Sequence, residues 1–96
     1  MKFMVSWSVD QDKRQEVLKV WSSQTPEQQM DAGPGVKILG RWHNVVEFVG
    51  VAIVEADDAG ALSQYLLKWN SMMDMDVCPV LDDAETTAVG KKALGL

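Results

Sequence analysis

The sequence predicts one α+β domain, residues 1–96, in which elements follow in the order β-α-β-β-α-β with a further helix at the end. Three observations predict it. Apolar residues recur every second position in separate short stretches, the repeat of a strand with one buried face. Between the first and second of these, and again between the third and fourth, they recur with the spacing of a helix. The third stretch is apolar on both faces, so that strand expects cover on both sides.

Lys2 to Val9 is the first strand, with Phe3, Val5, Trp7 and Val9 on one face and Lys2, Met4, Ser6 and Ser8 on the other. Asp10 follows as an expected N-cap, since its carboxylate can accept free amide hydrogens of the next turn. Val17, Leu18 and Trp21 then mark an amphipathic helix from about Gln11 to Ser23. Thr25-Pro26-Glu27-Gln28 has the form of a capping box with proline at the first helical position, and predicts a short helical turn. Gly33-Pro34-Gly35 ends it.

Val36 to His43 is the second strand. Regular alternation sends Val36, Ile38 and Trp42 one way and Lys37, Leu39, Arg41 and His43 the other. Gly40 interrupts the first set and predicts a bulge or the close approach of a large neighbour. Asn44 and its neighbours form a turn. The third strand, Phe48 to Val54, is followed by Asp57 and Asp58, which suit a helix start. Leu62, Tyr65, Leu66 and Trp69 give the clearest helical stripe in the chain. Met75 to Leu81 alternates again, and Pro79 within it argues for an edge strand or a strand end. Asp82-Asp83 open a last, weak helix reaching about Lys92.

This order is that of a ferredoxin-like, split-βαβ domain. Its two helices cover only one face of a four-stranded sheet. The other face needs a second cover, and a second copy of the chain packed sheet to sheet supplies one. The terminal helix is an alternative cover.

Composition narrows the function. A chain of 96 residues with 47% hydrophobic residues and four tryptophans carries a large apolar load for its size. Its net charge of −5 and the lack of any basic patch argue against nucleic acid and against anionic membranes. The one cysteine, Cys78, forms no internal disulfide and fits a reducing compartment. The start of the chain lacks the apolar core of a signal peptide, and no run approaches the roughly 18 apolar residues of a membrane span. A cytoplasmic location is the expectation.

Gly40-Arg41-Trp42-His43 is where chemistry is first sought, because His43 is the only histidine. A neutral imidazole can act as general base, hydrogen-bond donor or ligand. The plain alternative is a strand-end histidine bonded to a carbonyl or facing water. Arg41 can hold a carboxylate or phosphate through its planar fork, or simply pair with a local acid. Trp42 and Trp7 can stack on a flat ligand, although Trp7 shares the face of Phe3 and Val5 and reads as core. Trp21 and Trp69 lie on helical apolar stripes and read as core too. Ser6, Ser8, Asp76 and Cys78 lie on the less apolar faces of the first and last strands. With Arg41 and His43 on that same face, they would line a polar-edged cavity within a sheet-to-sheet dimer. The alternative is that these small groups are solvated or bonded to one another.

One histidine and one cysteine 35 positions apart match no metal-ligand spacing. A haem needs only one axial histidine, but nothing else argues for it. There is no nucleophile signature and no phosphate loop, and Cys78 beside Pro79 reads as a small buried hydrophobe. Neither metal nor cofactor is expected.

The segments Met1-Lys2-Phe3-Met4-Val5-Ser6-Trp7-Ser8, Lys37-Ile38-Leu39-Gly40-Arg41-Trp42-His43, Val54-Glu55-Ala56-Asp57-Asp58, Trp69-Asn70 and Pro79-Val80-Leu81-Asp82-Asp83 together resemble a bacterial family of small domains of unknown function. The resemblance covers nearly the whole chain. It departs at Asn44-Val45-Val46-Glu47-Phe48, where the family often has a glycine-richer turn. It implies the dimeric α+β barrel superfamily, hence a ferredoxin-like protomer and a homodimer, and no established activity. The superfamily includes monooxygenases, isomerases and binding modules, so the fold alone does not choose among them.

The expected function is therefore a homodimer that binds a small, partly apolar molecule in a cavity at the sheet face. A cofactor-independent monooxygenase- or isomerase-like enzyme is the alternative. There His43 would accept a proton, Arg41 would hold an anionic group and Trp42 would shape the pocket. A third alternative is a structural or interaction dimer without a ligand.

Overall fold

The computed structural model describes Met1 to Leu96. Four strands, β1 (Lys2–Val9), β2 (Val36–Asn44), β3 (Val49–Ala56) and β4 (Met73–Val80), form one sheet in the order β2-β3-β1-β4. All three pairings are antiparallel. Helices α1 (Arg14–Ser22) and α3 (Ala59–Leu66) are the two crossovers, α2 (Pro26–Met30) is a short turn of helix between α1 and β2, and α4 (Asp83–Leu94) ends the chain. This is the ferredoxin-like arrangement. The strand containing Pro79 lies at an edge, and the first and last strands are neighbours, as the sequence predicts.

The helix starts follow local chemistry. Thr25 and Gln28 form the predicted capping box, and Asp58 accepts the amide hydrogen of Ala61 at 2.8 Å. Asp82 and Glu85 form a second capping box at α4. Asp10 does not act as predicted. The segment Gln11–Lys13 is a 3-10 turn closed by the Lys13 amide on the Asp10 carbonyl, so α1 begins only at Arg14 and the Asp10 side chain caps nothing. The second helical stripe also ends early. α3 stops at Leu66, and Trp69 sits in the turn beyond it.

The core lies between the sheet and the helices. Phe3, Val5 and Val9 of β1, Ile38 of β2, Ala52, Val54 and Ala56 of β3 and Met73 of β4 are buried there, with Leu62 of α3 set against them. α3 is thus anchored by a side chain only 1% exposed, whereas α1 has no buried residue at all. α1 stands off the sheet.

The opposite face of the sheet has no cover within the chain. α4 does not fold back over it. The principal extents are 52 × 27 × 21 Å and the radius of gyration is 15.5 Å, against roughly 12–13 Å for a compact chain of this length. α4 buries nothing and is tied at its start by Lys2, whose ammonium lies 3.1 Å from Glu85 and 3.4 Å from Asp82. No helix is long and apolar enough to cross a membrane.

Candidate functional site

β2 and β3 pair regularly from Val36 opposite Ala56 to Ile38 opposite Val54. Gly40 then faces Ile53, so Leu39 is an extra residue, a bulge. Because successive side chains point to opposite faces, one extra residue exchanges the faces for the rest of the strand. Arg41 and His43 come opposite Ala52 and Gly50, on the helix side with Ile38, and Trp42 comes opposite Val51 on the open side. Regular alternation predicts the reverse. The interruption expected at Gly40 is present, and it exchanges the two faces without bringing Trp42 to the side of Arg41 and His43.

Arg41 and His43 therefore enter the space beneath α1. A cavity of about 210 Å³ lies there, lined by 20 residues of which 17 are hydrophobic. Its three polar lining residues, Arg41, His43 and Asn44, all come from the last turns of β2. The walls are Trp7 from the sheet, Val17, Leu18 and Trp21 from α1, and Tyr65, Leu66 and Trp69 from α3 and the following turn. A helical stripe of Val17, Leu18 and Trp21 reads as core, but here it faces a space that no side chain fills.

Two glycines make room for two indoles on opposite faces. Gly50 is the cross-strand partner of Trp7, and a Cβ on it would lie 2.2 Å from the Trp7 ring. Gly40 has Trp42 folded over it in the same way, at 2.5 Å. The large neighbour expected beside Gly40 is thus Trp42 itself. Laid flat over Gly50, Trp7 meets the His43 ring edge-on, with centroids 5.7 Å apart. Trp21 approaches His43 at 5.2 Å and Trp69 at 6.4 Å, giving a continuous aromatic wall.

His43 stands at the cavity mouth. The residue is exposed overall, and its ring leans on Trp7 and Trp21. Partial loss of water and, after it, the positive charge of Arg41 push its pKa below 6.5, so the imidazole is neutral at pH 7. Arg41 is half-buried. Its guanidinium lies over the Trp21 ring at 4.4 Å, and Nη2 donates to the Gln29 carbonyl at 2.8 Å. Burial lowers its pKa from the ordinary value, and the neighbouring Tyr65 hydroxyl partly offsets this.

The β2–β3 turn closes the same end. The Asn44 side chain accepts the amide hydrogen of Glu47 at 3.2 Å. Phe48, expected within the third strand, instead ends this turn with φ +56°, a left-handed conformation that favours glycine. Two contacts hold it there. Its carbonyl accepts the Val9 amide at 2.9 Å, and the Arg14 guanidinium lies over its ring at 5.3 Å. The Phe48 ring is part of the cavity wall. Residue patterning gives no sign of Phe48, Arg14 or Tyr65 as site residues. They become visible only through the fold.

The remaining candidates lie elsewhere. Ser6, Ser8 and Asp76 are on the open side of β1 and β4, away from Arg41 and His43, because the bulge turns those two residues to the other side. The single polar cluster expected on one sheet face does not form. Trp42, 62% exposed, shares the open side with them. Cys78 is exposed, not buried, since β4 is an edge strand with no cover on this side. No group of His, Cys, Asp and Glu side chains is placed to hold a metal ion.

Comparison with known families matches residues 1–94 to a domain of unknown function, DUF3303, and the chain belongs to that family. No functionally curated protein is similar to it. Among solved structures it is similar to one described as a putative antibiotic biosynthesis monooxygenase from Deinococcus radiodurans, at 7% identity and TM-score 0.44 over 85% of this chain and 94% of that one. It is similar also to Rv0793 from Mycobacterium tuberculosis, at 11% identity and TM-score 0.41 over 86% and 97%.

Proposed function

We propose that this protein binds a small, largely apolar molecule in the cavity between the sheet and the helices of each protomer. The carrying observation is the lining: apolar and aromatic walls, with all polar groups gathered at one end. That is the usual form of a small-ligand site. Size limits the ligand. The cavity, about 210 Å³, is somewhat larger than an engineered cavity of about 150 Å³ that takes up benzene, so one substituted ring fits.

The same account makes the working form a homodimer closed over the open side of the sheet. Met4, Val51, Ile53 and the exposed Trp42 present apolar surface there, and nothing in the chain covers it. The cavity lies on the other side, so the dimer does not obstruct it.

Saturation-transfer NMR with benzyl alcohol as a one-ring probe tests the binding. Transfer should appear with the native protein and vanish in Ala52→Leu, which fills the cavity floor. Undiminished transfer to a folded Ala52→Leu protein would contradict the reading. Sedimentation tests the assembly, and a monomer at micromolar concentration would contradict the dimer.

A second reading, cofactor-independent proton transfer, is favoured by one observation. The bulge turns both a neutral imidazole and a guanidinium toward the cavity. His43 would take a proton from the bound molecule while Arg41 holds its anion. No hydrogen bond to the His43 ring fixes its tautomer and the residue is exposed, so binding without turnover is preferred. Isotope exchange of a bound phenol's ring protons, lost in His43→Gln with binding retained, would reverse that preference.

A further inference from the structure

We propose, building on the reading of the cavity as a ligand site, that its ligand is a small aromatic carboxylate whose carboxylate group pairs with Arg41. The chain has only two arginines, Arg14 and Arg41, among 14 acidic residues. Neither pairs with any carboxylate. The ion pairs of the protein are made by Lys2 and Lys13. Each guanidinium instead lies on an aromatic ring of the cavity wall, Arg41 on Trp21 and Arg14 on Phe48. In a chain of net charge −5, the positive groups near the cavity are left without counter-ions.

Arg41 has spare bonding capacity. A guanidinium has five N–H donors. Nη2 donates to the Gln29 carbonyl and lies a long 4.0 Å from the Met30 sulfur, and the Tyr65 hydroxyl is the other polar neighbour, so donors remain and no partner carries a full negative charge. A half-buried cation beside apolar walls is costly until an anion meets it. The Trp21 ring beneath it at 4.4 Å limits the guanidinium's movement, and its planar fork matches a two-oxygen acceptor. The tether to Gln29 is a single bond to a neutral carbonyl and does not require the charge.

The rest of the ligand follows from the walls. Trp7, Trp21 and Trp69 present ring faces and edges to a space large enough for one ring. A flat ring bearing a carboxylate satisfies both the indoles and Arg41. A dianionic phosphate is less suited, since Arg41 is the only fixed cation in the lining.

Calorimetric titration with benzoate and with benzamide, which has nearly the same shape without the charge, tests this on the native protein. Benzoate should bind about tenfold or more tighter, as a charge-assisted pair implies, and added salt should weaken benzoate alone. The preference should disappear in Arg41→Met and persist in part in Arg41→Lys, which keeps the charge without the fork. Equal binding of the two probes overturns the carboxylate assignment and leaves the cavity reading intact. A benzoate preference surviving in folded Arg41→Met places the anion elsewhere and also overturns it. Binding of neither probe overturns the cavity reading itself.

Discussion

Trp7 lies flat over Gly50, its cross-strand partner, so closely that a single added methyl group would sit 2.2 Å from the ring. This contact fixes the indole that meets His43 and forms the sheet side of the cavity. Gly50→Ala should therefore act on stability and site together. The methyl group must displace the indole, and the Trp42 carbonyl 2.9 Å away leaves little backbone freedom. Overpacking of this kind costs about 1–3 kcal/mol. Chemical denaturation should show the loss, and one-ring probes should bind more weakly.

Removing Leu39 should take out the bulge and leave the later register as it is. Ile38, Gly40, Arg41, Trp42 and His43 would then alternate regularly opposite Val54, Ile53, Ala52, Val51 and Gly50, with Arg41 and His43 still on the helix side. Ligand binding and the strand order should both be kept. Circular dichroism and probe titration on the deletion variant check both parts. Lost binding in a folded deletion variant would show that the bulge itself shapes the site.

His43 predicts a pH dependence of defined sign. Its pKa in the folded protein lies below 6.5, so between that lower value and 6.5 the unfolded chain holds more protons than the native one. Its contribution to stability is fully present above pH 6.5 and is lost as the pH falls through the folded pKa. Thermal melts from pH 8 to pH 5 should show this decline, and His43→Gln should flatten it. The effect is small because the residue is exposed.

Asp82 both caps α4 and pairs with Lys2. A twelve-residue helix that packs on nothing is marginal in water. Asp82→Ala should lower the local stability of the helix by removing its cap. Hydrogen exchange should quicken throughout α4 and remain unchanged in β1 and β3. If α4 keeps its protection, something beyond its cap holds it.

The fold is legible because its signals are local: alternation in β1 and β4, the capping box at Thr25, and the apolar stripe of α3. The site was only half legible. His43 and Arg41 stood out by residue type. Their direction did not, because one inserted residue reverses every later side chain and Gly40 was its only mark. The cavity left no mark at all. Val17, Leu18, Trp21 and Trp69 have the same pattern whether the space opposite them is filled or empty, and packing density is not written in periodicity. Phe48 reads as a strand residue, but its left-handed backbone goes with contacts to Val9 and Arg14, distant in sequence.

The proposed ligand site lies beneath the helices, with Arg41 and His43, and not on the open side with Ser6, Ser8 and Asp76. The four tryptophans report on it directly. Trp7, Trp21 and Trp69 line the cavity, and Trp42 lies across the sheet. Nitrogen-15 NMR of the four indole N–H groups during benzoate titration separates the two sides. The signals of Trp7, Trp21 and Trp69 should move together while that of Trp42 stays in place. Movement of Trp42 with the other three unmoved would contradict it.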